Sequence, residues 1–281
     1  MISLRRLSFL EINLVGKIGS MALIRQDDND INYNTIARLA SELKPGMIWI
    51  SSGATEIGRV DYLRRHKREL DESNADAKTD YAAQGQAILM QNYRQFIAPE
   101  YSVRQVLVEH QHFNDPGKRL HIKRLLLRAA EQDAIPIINY NDPVSDEENR
   151  KMELAHLRNN TSRIVECVDN DETAAVISEL VGSKMLVILT SADGIYRDPS
   201  DPTSLIENVT AHDPDELSRV LSDLQESCRG ASRVGANGMS AKLRYALQPA
   251  INGAMVIIGN ARYRLSDLVE GRVPHTLIGL I

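Results

Sequence analysis

Short apolar runs alternate with helix-period stretches along almost the whole chain. Residues 12–18, 47–50, 105–108, 135–138, 185–189 and 254–258 read as strands, and the most apolar of these runs as strands buried on both faces. Residues 33–43 carry Ile36, Leu39, Ala40 and Leu43 on one helical face, and Pro45-Gly46 follows as a stop signal. Residues 81–97 read as a long helix with Ala82, Ile88, Leu89, Tyr93 and Phe96 as candidate core positions. Further helices are expected at 119–130, 213–224, 239–251 and 265–270, and a last strand at 275–281. Residues 61–80 are highly charged and read as a solvated excursion. Residues 146–168 show no clear strand and a possible short helix at 152–157; loops of that length are usually functional, so an insertion or lid is expected. Regular alternation of strand and helix predicts an α/β fold, a three-layer αβα sandwich with a mostly parallel central sheet. No linker or repeat interrupts it. The expectation is one domain over residues 1–281, with a softer N-terminal lobe (about 1–165) and a firmer C-terminal lobe (about 166–281).

The strand ends carry the candidate chemistry. Four predicted strands stop in small or polar turns: Gly19-Ser20, Ser52-Gly53-Ala54, Asn139 to Asp142, and Thr190 to Gly194. In a parallel sheet these turns converge on one edge, where ligands of open α/β sheets sit. Gly16-Lys17-Ile18-Gly19 superficially resembles a P-loop, but Glu11 stands at the first glycine position and Ile18 at the Ser/Thr position. What remains is a lysine flanked by glycines, which let backbone approach a phosphate closely. Asp169-Asn170-Asp171 opens an apolar helical pattern, and Lys242 lies inside a helix after a loop rich in Gly, Ala, Ser and Asn at 229–238. Lysines and backbone amides suit a polyphosphate, and carboxylates suit Mg²⁺ or an ammonium group; together these are the parts of phosphoryl transfer. The His110-Gln111-His112 pair has no third ligand nearby and reads as loop histidines that hydrogen-bond; no protein metal site is expected.

Composition narrows the classes. The charged fraction of 25% and apolar fraction of 43% are ordinary for a soluble globular protein. A net charge of −5 argues against nonspecific nucleic-acid binding. Cys167 and Cys228 are too few for a disulfide framework and read as reduced thiols. Arg5-Arg6 before an apolar run mimics a signal peptide, but Glu11 and Asn13 end the run early. No run approaches the roughly 18 apolar residues of a membrane span. The expected location is the cytoplasm, so the sequons at Asn159 and Asn208 carry no meaning.

Seven motifs in order now resemble a known family. They are Lys17-Ile18-Gly19-Ser20; Ser52-Gly53-Ala54 followed by Gly58-Arg59; Ala83-Gln84-Gly85-Gln86; and Pro136-Ile137-Ile138-Asn139-Tyr140-Asn141-Asp142. Then come Val168-Asp169-Asn170-Asp171; Leu189 to Tyr196 with Asp198-Pro199; and Gly235-Ala236-Asn237-Gly238-Met239 with Lys242-Leu243. The chain resembles the amino-acid kinase superfamily, and within it the glutamate 5-kinases, over roughly residues 12–281. The resemblance implies ATP-dependent phosphorylation of a carboxylate, glutamate's γ-carboxylate first among them, with ATP and Mg²⁺ as cofactors and a homo-oligomer, dimer or tetramer, as the assembly. It implies Lys17, Lys242 and Asp171 as the catalytic set. Ser52, Gly53, Ala54, Asn139, Asp142 and Asn170 fall to the amino-acid substrate. Lys17, Gly19, Thr190, Ser191, Asp193 and Tyr196 fall to ATP, as do Ala236, Asn237, Gly238, Met239 and Lys242. The chain departs from the family pattern at Tyr140 (a glutamate there), Val168 (a glycine), Ser191 (an aspartate) and Ala236-Asn237 (Thr-Gly), and the expectation is a kinase domain without the RNA-binding-like C-terminal domain of many members. Two alternatives therefore stand beside glutamate phosphorylation: a kinase of the same fold acting on another small carboxylate, a phosphonate or a phosphorylated metabolite, and a nucleotide- or metabolite-binding regulator without turnover.

Overall fold

The computed structural model describes residues 11–71, 75–145, 147–158, 164–167, 169–198, 200–229 and 236–281. Its centre is strand β1 (Leu14–Ile18), buried at all five positions. Parallel neighbours flank it on both sides, β4 (Met47–Ser51) and β7 (Met185–Thr190). Beyond β4 lie β6 (Ala134–Tyr140) and β5 (Ser102–Val108), again parallel. Beyond β7 lies β11 (Met255–Asn260), parallel, then β12 (His275–Leu280), antiparallel to β11, and β10 (Asn208–Ala211) at the edge. The eight-strand order is β10-β12-β11-β7-β1-β4-β6-β5. Two small hairpins stand apart, β2 (Ile24–Arg25) with β3 (Asp30–Ile31), and β8 (Ile195–Tyr196) with β9 (Leu205–Ile206).

Side-chain alternation along the strands makes two cores. Val15, Ile48, Ile50, Ile138, Leu186 and Ile188 face one side, under α5 (Pro116–Glu131), α7 (Asn170–Val181), α8 (Pro214–Arg229) and α9 (Ala236–Ile251). Leu14, Trp49, Ile137, Val187, Leu189 and Ile257 face the other, under α1 (Tyr33–Ala40), α2 (Ala54–His66), α3 (Ala75–Phe96) and α10 (Leu265–Val269). This is the three-layer αβα arrangement with a mostly parallel sheet that the alternation predicts. Two more helices, α4 (Gln111–Asn114) and α6 (Glu147–Arg158), follow β5 and β6. No described helix is long and apolar enough to cross a membrane.

Among the described residues the solvated excursion expected at 61–80 is confined to 67–71. Its ends belong to the second half of α2 and the start of α3. The buried face of α2 is Ala54, Ile57, Gly58 and Val60, so small residues rather than a large apolar stripe carry the helical period. The two helices cross with glycine against backbone: a Cβ on Gly58 would lie 1.8 Å from Tyr81 O, and one on Gly85 1.8 Å from Ala54 O. The charges that suggested a loop stand on the outer surface, where Arg65 pairs with Asp61 at 2.8 Å and Arg59 pairs with Glu69. In the 146–168 segment the helix is longer than the 152–157 expected from sequence. Val168, Pro199, Asn159 and residues 230–235 of the small-residue loop lie outside the described residues, and α9 already begins at Ala236.

Candidate active site

The chain runs from β1 rightward through β4 and β6, then returns leftward to β7 and β11, so the strand order reverses between β1 and β7. A crevice opens at such a switch point beyond the carboxyl ends of the strands. Lys17 stands there. It follows Val15 by two residues and so projects under α7 and α9, with only 6% of its surface exposed. Its Nζ lies 2.7 Å from Asp171 Oδ1. Lys242, in the second turn of α9, donates to Asp171 Oδ2 at 2.7 Å. One carboxylate, itself 4% exposed, thus separates two ammonium groups, and the cluster keeps one net positive charge. Burial works to push the Asp171 carboxyl up, but Lys17 and Lys242 outweigh it and hold the group below the usual aspartate range.

Helix α7 fixes this carboxylate. Asp169 is its N-cap, with Oδ1 accepting from the backbone N–H of Asp171 at 2.8 Å and of Glu172 at 2.9 Å. The next helix residue before Asp171 is Asn170, which serves the opposite wall. Its Nδ2 donates to Ser52 Oγ at 2.9 Å and to Asn139 Oδ1 at 2.9 Å. Asn139 Nδ2 in turn donates to Gln86 Oε1 at 2.9 Å. These bonds bring the ends of β4 and β6, α3 and α7 to one place. Asn170 Oδ1 is buried and has no partner among the described residues. Gly53 caps α2 with φ +101°, a left-handed conformation that favours glycine, and Ala54 is the first residue of that helix. Asp142 follows β6; burial, reinforced by Glu56 and opposed by Arg150, pushes its carboxyl up to about 6. Tyr140, which stands where the family pattern has a glutamate, is 8% exposed in the core, with its hydroxyl 2.9 Å from Ser145 Oγ.

The third wall is the turn after β7. Asn260 Nδ2, at the end of the neighbouring β11, donates to Ser191 O and to Asp193 Oδ1, both at 2.9 Å. Arg262 donates to Asp193 Oδ2 at 2.8 Å. Ala261 N–H reaches Thr190 O at 2.9 Å, and Thr276 Oγ1 accepts from Ile195 N–H at 2.8 Å. Gly194 is needed for closeness, since a Cβ there would sit 2.5 Å from Thr276 Oγ1. Gly19 N–H points to Leu189 O at 3.4 Å, tying the ends of β1 and β7 together. Tyr196 lies on β8 beyond this turn, and Met239 lies one turn before Lys242 on α9. The side chains of Ala236, Asn237 and Gly238 are outside the described residues.

Gly16, read from sequence as a candidate for phosphate approach, has a packing reason instead: a Cβ on it would fall 2.1 Å from the Trp49 ring on the opposite face from Lys17. Both histidines hydrogen-bond as expected, but His112 lies in helix α4 rather than in a loop: its Nδ1 accepts from Glu109 N–H at 2.9 Å, and His110 Nε2 lies 2.9 Å from Glu153. Sequence reasoning gave no role to Asn260, Arg262, Gln86, Glu56 or Arg150, although Gln86 closes one of the seven motifs. Asn260 had a signal, a polar amide ending an apolar strand; Glu56 and Arg150 look like any surface charge until the chain is folded.

A family model described as the amino acid kinase family matches residues 14–260. The chain is 30% identical over 274 residues to glutamate 5-kinase of Enterococcus faecalis, covering 94% of this chain and 93% of that protein. It is 30% identical over 254 residues to glutamate 5-kinase of Bacteroides thetaiotaomicron, covering 88% of this chain and 63% of that one. Among solved structures, Giardia carbamate kinase aligns with a TM-score of 0.60 at 14% identity over 96% of this chain and 99% of its own. An isopentenyl phosphate kinase aligns with a TM-score of 0.56 at 13% identity over 94% and 99%. These structural likenesses speak to the fold alone.

Proposed function

The chain belongs to the amino acid kinase family, and we propose that it transfers the γ-phosphoryl group of ATP to the side-chain carboxylate of L-glutamate. The observation that carries this reading is the Lys17–Asp171–Lys242 cluster, a buried net positive charge at the switch point. A carboxylate is ionised at pH 7, so the nucleophile needs no general base. One of its oxygens bonds to the γ-phosphorus as the bond from that phosphorus to the β–γ bridging oxygen breaks, and ADP leaves with the electron pair. The obstacle is repulsion between two anions. Lys17 and Lys242 offset it, and Asp171 keeps both ammoniums aimed at one point. Ser52, Asn139, Asp142 and Asn170 position the amino acid, and the 190–196 turn with α9 holds the nucleotide.

The described residues gather no group of three or more His, Cys, Asp or Glu able to hold a metal ion. That suits Mg²⁺ carried on nucleotide phosphates rather than in a protein cage. When bound, it spreads the charge of the phosphate oxygens.

The test is ADP release across a panel of amino acids and small acids, with hydroxylamine as trap. Hydroxamate from glutamate is expected. ADP release only with another acceptor refutes glutamate and leaves phosphoryl transfer standing. Lys242→Ala keeps the Lys17–Asp171 pair, so the fold holds while kcat falls by about 10²–10³-fold or more; near-normal turnover refutes the assignment.

A further inference from the structure

Helix α6 brings Arg150 to the end of β6, beside the acceptor wall. Its guanidinium carbon stands 6.0 Å from the centre of the Tyr140 ring. Nη1 donates to Cys167 O at 3.4 Å, a long bond. Nε is buried and has no partner. Among the described residues Arg150 forms no ion pair. A guanidinium has five donors in a rigid fork that matches a carboxylate. Holding such a charge half-buried without a counter-ion is costly unless something else supplies the anion.

The position is built. Leu154 seats α6 in the core, at 6% exposed. His110 Nε2 holds Glu153 at 2.9 Å, and Arg158 pairs with Glu166. The strand of chain carrying Cys167 is clamped by Asn114, whose Nδ2 donates to Val165 O at 2.8 Å and whose Oδ1 accepts from Val165 N–H at 3.0 Å. Arg150 is close enough to Asp142 for its charge to be felt there. The same end of β6 gathers groups of the opposite preference: Asn170 Oδ1, unpartnered among the described residues, and Asp142 with Glu56 close enough to act on it. An acceptor with an ammonium toward the second set and a carboxylate toward Arg150 satisfies both.

We propose that Arg150 is a specificity-determining residue that binds a second anionic group of the phosphoryl acceptor, the α-carboxylate where the acceptor is glutamate. The inference rests on the phosphoryl-transfer reading above. It predicts that the site distinguishes acceptors by a group remote from the reacting carboxylate.

The experiment uses the purified full chain with ATP and two acceptors that differ by that group alone, L-glutamate and 4-aminobutanoate. In Arg150→Gln, KM for glutamate is expected to rise roughly 10- to 100-fold, the worth of a hydrogen-bonded charge, with kcat little changed. Arg150→Lys keeps the charge without the fork and recovers part of the loss. kcat/KM on 4-aminobutanoate stays the same in all three proteins. An unchanged glutamate KM in Arg150→Gln overturns the proposal, and so does a parallel loss on both acceptors, which marks a structural role. A wild type that ignores glutamate, yet prefers another dicarboxylate through Arg150, overturns glutamate as acceptor and supports this inference. Phosphorylation of glutamate that is indifferent to Arg150 does the reverse.

Discussion

Asp171→Asn isolates the central charge arrangement. In the wild type one carboxylate neutralises half of two ammoniums, each 2.7 Å away and all of them largely buried. At an effective dielectric constant near 20, each contact is on the order of 6 kcal/mol of raw attraction. Desolvation offsets most of that, and losing one partner of a buried pair typically costs about 3–5 kcal/mol because the remaining charge stays uncompensated. Here two remain, facing each other. Taking about 4 kcal/mol, against a usual total stability of about 5–15 kcal/mol, the thermal midpoint without ligand falls by roughly 10 °C. Nucleotide phosphates then replace the missing anion, so saturating nucleotide narrows the gap between variant and wild type. Turnover does not recover, since Lys17 and Lys242 are no longer aimed, and kcat falls at least about 10²-fold. Thermal unfolding followed by circular dichroism at pH 7, with and without nucleotide, measures all of this together with an ADP-release assay. A ligand-free midpoint within about 2 °C of wild type refutes the reasoning, as does a gap that nucleotide leaves unchanged.

Asp142 has a folded pKa of about 6, raised above its unfolded value mainly by burial, so it stabilises the fold at low pH and that contribution is lost as pH rises from about 4 through about 6. Asp142→Asn is therefore expected to flatten the stability–pH curve between those values and to raise the acceptor KM; a lower midpoint at pH 8 than wild type contradicts this. Asn260→Ala removes the bonds to Ser191 O and Asp193 Oδ1. It should raise the nucleotide KM roughly 30-fold, at about 1 kcal/mol for each of the two bonds, and leave the acceptor KM alone; steady-state kinetics with each substrate varied decides. Gly85→Ala drives a Cβ to 1.8 Å from Ala54 O. Overpacking of this kind costs about 1–3 kcal/mol or more, read by urea unfolding, and a midpoint equal to wild type shows that the helices slide apart freely.

The sheet was legible because buried parallel strands announce themselves: the runs at 47–50, 135–138 and 185–189 needed no partner to be recognised. Helix α2 was not, since its packing face is built from Ala54, Gly58 and a glycine on the facing helix, and closeness of backbones leaves no apolar stripe to read. The short pairs β2–β3 and β8–β9 were missed for a different reason: two-residue strands have no period. Within the site, Lys17, Asp171 and Lys242 came from motif order and not from any local property, and folding gave them a common point. Arg150 acts through tertiary neighbours that only the folded chain displays, and the polar amide of Asn260 at a strand end shows its partners only once β7 and β11 are paired.

The site divides by element. On the proposed reading, phosphoryl-transfer charges come from β1, α7 and α9, whereas acceptor contacts come from the ends of β4 and β6 and from α6. A change of acceptor therefore needs new side chains only on the second group, and the Lys17–Asp171–Lys242 cluster can stay as it is. On that reading, fold alone does not name the acceptor. Asn170 and Asp171 are where the two groups meet. They are consecutive residues on the first turn of one capped helix, the first bonded to Ser52 and Asn139, the second to both lysines. Any movement of that turn on acceptor binding must also move the carboxylate that aims the lysines. Acceptor recognition and charge placement are thereby one mechanical unit, so an acceptor that fails to engage Asn170 should suffer in kcat as well as in KM.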